Sequence, residues 1–292
     1  MEWRGRRGSK NVIDIRGRSA GGLGRGARRA GGIGGIGAVI VILVGLFLGV
    51  DLTPLLGGGG GGLMAPDSPS QSAGPVSADD PAATFVSVVL ADTEEVWARE
   101  FEARGGRYQP PELVLFSGAV NSACGMADAA VGPFYCPGDR RVYLDLDFFA
   151  TLERQLGATG DFARAYVIAH EVGHHVQNLI GVMDETSSLR ARASETDANA
   201  ISVMVELQAD CLAGVWARGA HEMFGSLEPG DIDEAMNAAS AIGDDALQQR
   251  SRGYVVPDSF THGSSEERRG WFQRGFETGR MEACDTFGSS RS

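Results

Sequence analysis

An uncharged run at residues 33–50, IGGIGAVIVILVGLFLGV, set behind a basic head, restricts this chain more than any other feature. Eighteen residues at a helical rise of ~1.5 Å reach about 27 Å, enough for the hydrocarbon core of a bilayer. Residues 1–30 hold nine Arg or Lys against two acidic side chains, and Asp51 follows the run. The positive-inside rule expects that asymmetry of an N-terminus kept in the cytoplasm. A buried soluble helix has no need of such flanks, and the apolar core of a cleaved signal peptide is shorter, about 7–15 residues. The run therefore reads as an uncleaved signal-anchor. Residues 1–32 are expected to be a basic cytoplasmic segment and 33–52 a transmembrane helix. The chain would cross the membrane once, with the rest on the side away from the cytoplasm.

Residues 53–81 hold a six-glycine run followed by Pro, Ser, Ala and Asp, a composition that buries no core and reads as a tether. No Gly-Lys-Ser/Thr follows the glycines, so a phosphate-binding loop is excluded. Residues 82–288 remain as one domain. The whole chain carries a net charge of −12 although its head is basic, so this domain is strongly acidic and poorly suited to nucleic acid.

Helical apolar spacing marks 83–103, while short apolar runs bounded by Gly, Pro and Asp mark strands at 113–116, 132–136 and 142–145. Helical patterns then dominate at 147–156, 161–179, 197–220, 231–247 and 265–278, the last opened by a Ser264/Glu267 capping box. A few strands followed by many helices predict an α+β domain, mostly helical with a small sheet. The four cysteines, Cys124, Cys136, Cys211 and Cys284, include no Cys-x-x-Cys pair. An even count in an exported domain predicts two disulfides out of three possible pairings. Proximity favours Cys124–Cys136, which leaves Cys211–Cys284.

The chemistry sits in His170-Glu171-Val172-Gly173-His174, inside an apolar helical pattern. Residues four apart share a helix face, so His170 and His174 can offer two imidazoles to one metal ion. Glu171 then lies where a general base for a metal-activated water is needed. A catalytic zinc site needs a third protein ligand. The metzincin continuation requires Gly at 177 and His at 180, where this chain has Gln177 and Ile180. Glu206-Leu207-Gln208-Ala209-Asp210 supplies the other solution. Glu206 would be the ligand, and Asp210, one turn on, would orient a histidine through its free ring N–H. Apolar residues surround both carboxylates in the sequence, and buried carboxylates need partners. His175 points about 100° away from His174 and is not expected to be a ligand. His221 is assigned no chemistry, and Tyr135 is expected to pack in the core or at an edge.

HEVGHHVQ and ELQADCLAGVW, with CGMADAAVGPFYCPGDRRVYLD upstream and FTHGSSEERRGWF downstream, resemble the bacterial neutral zinc metallopeptidase family. Its members are similar in having a basic N-terminus, one membrane span and a Gly-rich linker. The resemblance covers most of residues 80–288. It implies a zincin-like fold and a gluzincin-type site, with Zn2+ held by His170, His174 and Glu206 and with Glu171 as catalytic acid/base. Thr261 to Arg268 also resembles the Thr-His-Pro-x-x-x-x-Arg stretch of membrane-associated gluzincins. That likeness implies an oxyanion-stabilising role for His262, although Gly263 replaces the proline. Packing against the final helix is the alternative role for His262.

The expected function is that of a membrane-anchored zinc metalloendopeptidase acting on peptides or proteins. The alternative is a tethered zinc-binding interaction module without hydrolytic activity; retention of both Glu171 and Asp210 argues against it.

Overall fold

The structure is a computed structural model that describes residues 1–17, 76–77 and 79–288. The expected transmembrane helix at 33–52 and most of the expected tether lie outside the described residues. Helix α1 (Pro81–Ala103) starts at Asp80, whose carboxylate accepts from the N–H groups of Ala82 and Ala83, with Pro81 in its first turn. Four strands form the main sheet: β1 (Val12–Asp14), β2 (Glu112–Phe116), β6 (Arg141–Asp145) and β5 (Phe134–Cys136). Their order is β1-β2-β6-β5; the first two pairings are parallel and the last antiparallel. A hairpin of β3 (Ala119–Ser122) and β4 (Gly125–Asp128) stands apart.

Strand side chains alternate between faces, and here both faces are buried. Leu113, Leu115, Val142 and Leu144 point into the main core, while Val114, Phe116 and Tyr143 join Val120 and Ala127 of the hairpin on the other side. This double burial makes the β2 and β6 sequences continuous apolar runs.

The helical layer comprises α2 (Asp147–Arg154), α3 (Asp161–Leu179), α4 (Val182–Arg190), α5 (Glu195–Phe224), α6 (Asp231–Ala241), α7 (Asp244–Arg252) and α8 (Ser265–Thr278). The architecture is α+β, mostly helical with a small sheet, as expected. Helix α5 is the one described helix long and apolar enough to cross a membrane. Its most apolar window is 78% buried inside the protein, so it is a core helix. The capping box at Ser264 and Glu267 is present. Both disulfides follow the pairing favoured by proximity: Cys124–Cys136 ties the hairpin to β5, and Cys211–Cys284 ties α5 to the segment after α8.

Three expectations are corrected. The single helix expected at 231–247 is two, α6 and α7, broken at Gly243. A Cβ there would stand 2.5 Å from the backbone nitrogen of Ser265, so the chain bends around the start of α8. Helix α4 and the β3–β4 hairpin add elements that apolar spacing does not mark. Most consequentially, residues 1–17 are not a separate segment, because β1 is built into the sheet. Val12, Ile13 and Asp14 pair with Leu113, Val114 and Leu115, and the Met1 and Val12 side chains are buried in the main core. The Met1 amino group lies 2.6 Å from Asp161, 2.8 Å from Glu228 and 3.2 Å from Asp231.

Candidate metal centre

Two helices that cross at close range build the centre. Glycine at 173 permits the approach: a Cβ there would stand 3.0 Å from the Ala209 carbonyl oxygen of α5. One turn of α3 carries His170, Glu171 and His174, and the facing turns of α5 carry Glu206 and Asp210. His170 Nε2 lies 3.1 Å from Glu206 Oε2, and His174 Nε2 lies 3.4 Å from Glu206 Oε1. One donor atom from each of the three residues falls within 4.8 Å of the others, and all three side chains are buried.

The other ring nitrogens are held from behind. His170 Nδ1 is 2.8 Å from Asp210 Oδ1, and His174 Nδ1 is 2.8 Å from Gln177 Oε1. Gln177 is fixed in turn, since its amide donates to the Val205 carbonyl at 2.7 Å and to Gln208 Oε1 at 2.9 Å. With both Nδ1 atoms engaged, the Nε2 atoms face Glu206. Two imidazoles and a carboxylate, with outer partners fixing each ring, match the donor chemistry of a zinc site with an open position.

Asp210 is fully buried and serves more than His170. Arg268 donates to it through Nε at 2.8 Å and Nη2 at 3.0 Å, and Tyr166 donates its hydroxyl to Oδ1. Burial alone would raise the Asp210 carboxyl, but the Arg268 and His170 charges reverse that and hold it low. The Arg268 guanidinium reaches this depth because α8 packs on α5 through glycines. A Cβ on Gly275 would stand 1.9 Å from the Cys211 carbonyl oxygen, and one on Gly214 would stand 2.1 Å from that of Phe272.

Electrostatics follow the geometry. Burial opposes charge on Glu206, but His174, His262 and His170 hold its carboxyl well below the usual range. Burial also disfavours charge on His170, yet Asp210 and Glu206 outweigh it and push the imidazole up to about 10. Glu171 is raised, because desolvation exceeds the opposing pull of His170 and His174.

His262 lies close enough to Glu206 for their charges to interact. Its ring is placed by Asp244. Oδ1 stands 3.3 Å from Nδ1, while Oδ2 accepts from the backbone N–H groups of Thr261, His262 and Gly263 at 2.7, 2.7 and 3.2 Å. His175 turns away from the centre, toward the Tyr135 hydroxyl at 3.1 Å and the Gln109 carbonyl at 2.7 Å. Tyr135 is buried and also accepts from Asn178.

The structure thus brings together His170, Glu171, His174, Glu206 and Asp210, with His262 alongside. Tyr166, Gln177 and Asp244 join the site without having been assigned a role from the sequence, and Arg268, which closes the Thr261–Arg268 stretch, joins it with no role expected of it. An acid at the start of one helix and an arginine inside another look like ordinary surface positions until the glycine contacts bury them.

The sequence profile of the family described as "Putative neutral zinc metallopeptidase" matches residues 1–287. The chain belongs to this family. Among its relatives within curated proteins is the Escherichia coli (strain K12) "Uncharacterized protein YpfJ". The two are 50% identical over 293 residues, covering 99% of this chain and all of the relative. "Uncharacterized protein Rv2575" of Mycobacterium tuberculosis is 47% identical over 193 residues, 63% of this chain and 64% of the relative. No solved structure matches. The metallopeptidase profile begins at residue 1, so the head that pairs with β2 falls inside the matched region along with the centre.

Proposed function

We propose that the protein is a zinc metallopeptidase of gluzincin type, with a zincin-like arrangement of α3 and α5, that hydrolyses peptide bonds in peptides or proteins. The observation that supports this reading most directly is the convergence of His170, His174 and Glu206 donor atoms within 4.8 Å, with both histidines held through Nδ1. Those three residues would hold the ion. When bound, zinc supplies a Lewis acid and a water of lowered pKa.

Glu171 takes the proton as water adds to the scissile carbonyl and returns it to the amine as the C–N bond breaks. Its upward shift by burial suits a group that must first accept and then release a proton. His262, with its ring set by Asp244, donates toward the carbonyl oxygen where negative charge develops. Asp210, Gln177 and Arg268 hold the ligands and do not touch substrate.

The two disulfides support an oxidising compartment for the domain, and residues 33–52 supply the contact with the cell membrane. The test is metal content of the purified protein beside a peptide-library assay, for the wild type and for Glu206→Ala. The reading expects one equivalent of zinc and cleavage from the wild type and neither from the variant. A variant that keeps both would overturn it.

A further inference from the structure

Residues 1–17 and the domain share one sheet and one core, yet the apolar run lies between them in the chain. We propose that residues 1–17 and residues 79–288 fold together on one side of the membrane, so that the run at 33–50 does not put a bilayer between them.

The packing is extensive and specific. Beyond the β1–β2 ladder, the Trp3 ring meets Phe85 edge-on at 5.4 Å, and its indole N–H donates to Asp161 at 3.1 Å. Ser9 and Ser87 bond reciprocally: the Ser9 N–H donates to the Ser87 carbonyl at 2.9 Å, and the Ser87 hydroxyl donates to the Ser9 carbonyl at 3.1 Å. Arg6 grips Asp92 with two bonds of 2.8 and 2.7 Å, and Asp92 is only 3% exposed.

These contacts also change the meaning of the basic head. Arg6 pairs with Asp92, Arg7 with Glu95, and Arg16 with Asp14 and Asp80. Charges that on sequence grounds retain a head in the cytoplasm have acidic partners here, three of them on or beside α1. A domain folding without the head would leave the β2 edge unpaired and Phe85 uncovered, the kind of exposed edge that native sheets avoid. The 58 residues between positions 17 and 76, at up to ~3.6 Å each, impose no limit on the return path. Because Cys124–Cys136 and Cys211–Cys284 belong to the same folded unit, the shared side is the oxidising one.

Two measurements on the full chain in bacterial cells test this. The first uses a Ser9→Cys/Ser87→Cys pair with a protease site inserted between residues 66 and 75. Read under denaturing conditions, the expected result is a head fragment that stays attached after cleavage and is released by reductant, with no attachment in either single variant. The second compares an impermeant maleimide on Lys10→Cys and Arg252→Cys, both exposed positions outside these contacts, in intact spheroplasts. Both are expected to label without lysis. Labelling of only one until the cells are broken overturns the proposal. So does a Ser9–Ser87 bond found only between two chains, or labelling on the same side with no bond formed.

Discussion

Asp210 Oδ1 lies 2.8 Å from Nδ1 of His170, while Glu206 faces the same ring at Nε2. One histidine is therefore clamped between two carboxylates whose roles differ by position alone. The carboxylate behind the ring fixes its rotation and raises its basicity, an effect usually worth about 10–100-fold in metal affinity. Asp210→Asn should lower zinc affinity by that order, read by chelator competition. It should also lower the melting temperature, because Arg268 loses its charged partner. An unchanged zinc affinity would remove Asp210 from the site.

Those same carboxylates push the His170 imidazole up to about 10, against the effect of burial. Its Nε2 must lose a proton to become a ligand. Zinc uptake at neutral pH should therefore release protons. Calorimetry in buffers of different ionisation enthalpy would show this as a buffer-dependent heat, and a buffer-independent heat would contradict it.

Glu171→Gln removes the base and keeps the shape. The expected loss in kcat is about 10²–10⁴-fold, the usual contribution of a positioned acid/base, with zinc content unchanged. Loss of zinc from this variant would mean that Glu171 acts as a ligand.

His175 gives a pH dependence outside catalysis. Its Nε2 faces the Gln109 carbonyl and its Nδ1 faces the Tyr135 hydroxyl, and burial lowers its pKa from 6.5 to about 4. The unfolded chain thus binds a proton here that the native state refuses. Stability from this group is complete above pH 6.5 and falls as the pH drops toward 4, by about 3 kcal/mol in all. Denaturant midpoints at pH 7 and 4.5 would show the loss, and His175→Gln should flatten it.

Two glycines of α8 should respond oppositely to alanine. At Gly275 a Cβ would stand 1.9 Å from the Cys211 carbonyl oxygen, whereas at Gly270 it would meet nothing within 4 Å. Gly275→Ala must push α8 off α5 and should cost at least about 1–3 kcal/mol. Gly270→Ala should be neutral or stabilise by up to about 1 kcal/mol through helix propensity. Thermal melts of both variants check the contrast.

The cluster of the candidate metal-binding face was legible in the sequence because its signals are local. His170 and His174 are four apart in an apolar helix, and Glu206 and Asp210 are acids among apolar neighbours. What escaped depends on partners distant in sequence. Val12–Asp14 is a strand only because β2 lies beside it, about a hundred residues on, so a three-residue run within a basic head gave no sign. Arg268 closes the Thr261–Arg268 stretch but its burial had no signal there: it lies deep because Gly214 and Gly275 let two helices touch. The break at Gly243 likewise reflects the position of Ser265, not any weakness in the helical spacing of 231–247.

The Cys211–Cys284 bond begins one residue past Asp210, and the Cys284 carbonyl accepts from Gln208, which in turn bonds Gln177 behind His174. The segment around Cys284 is thereby stitched to the scaffold behind the candidate metal ligands. With its ends 73 positions apart in the sequence, the crosslink restricts the unfolded chain by an amount worth about 4 kcal/mol on the loop-entropy account. A copy kept where thiols stay reduced would lack this suture where the histidines are aimed, and maturation of the centre would wait on an oxidising environment.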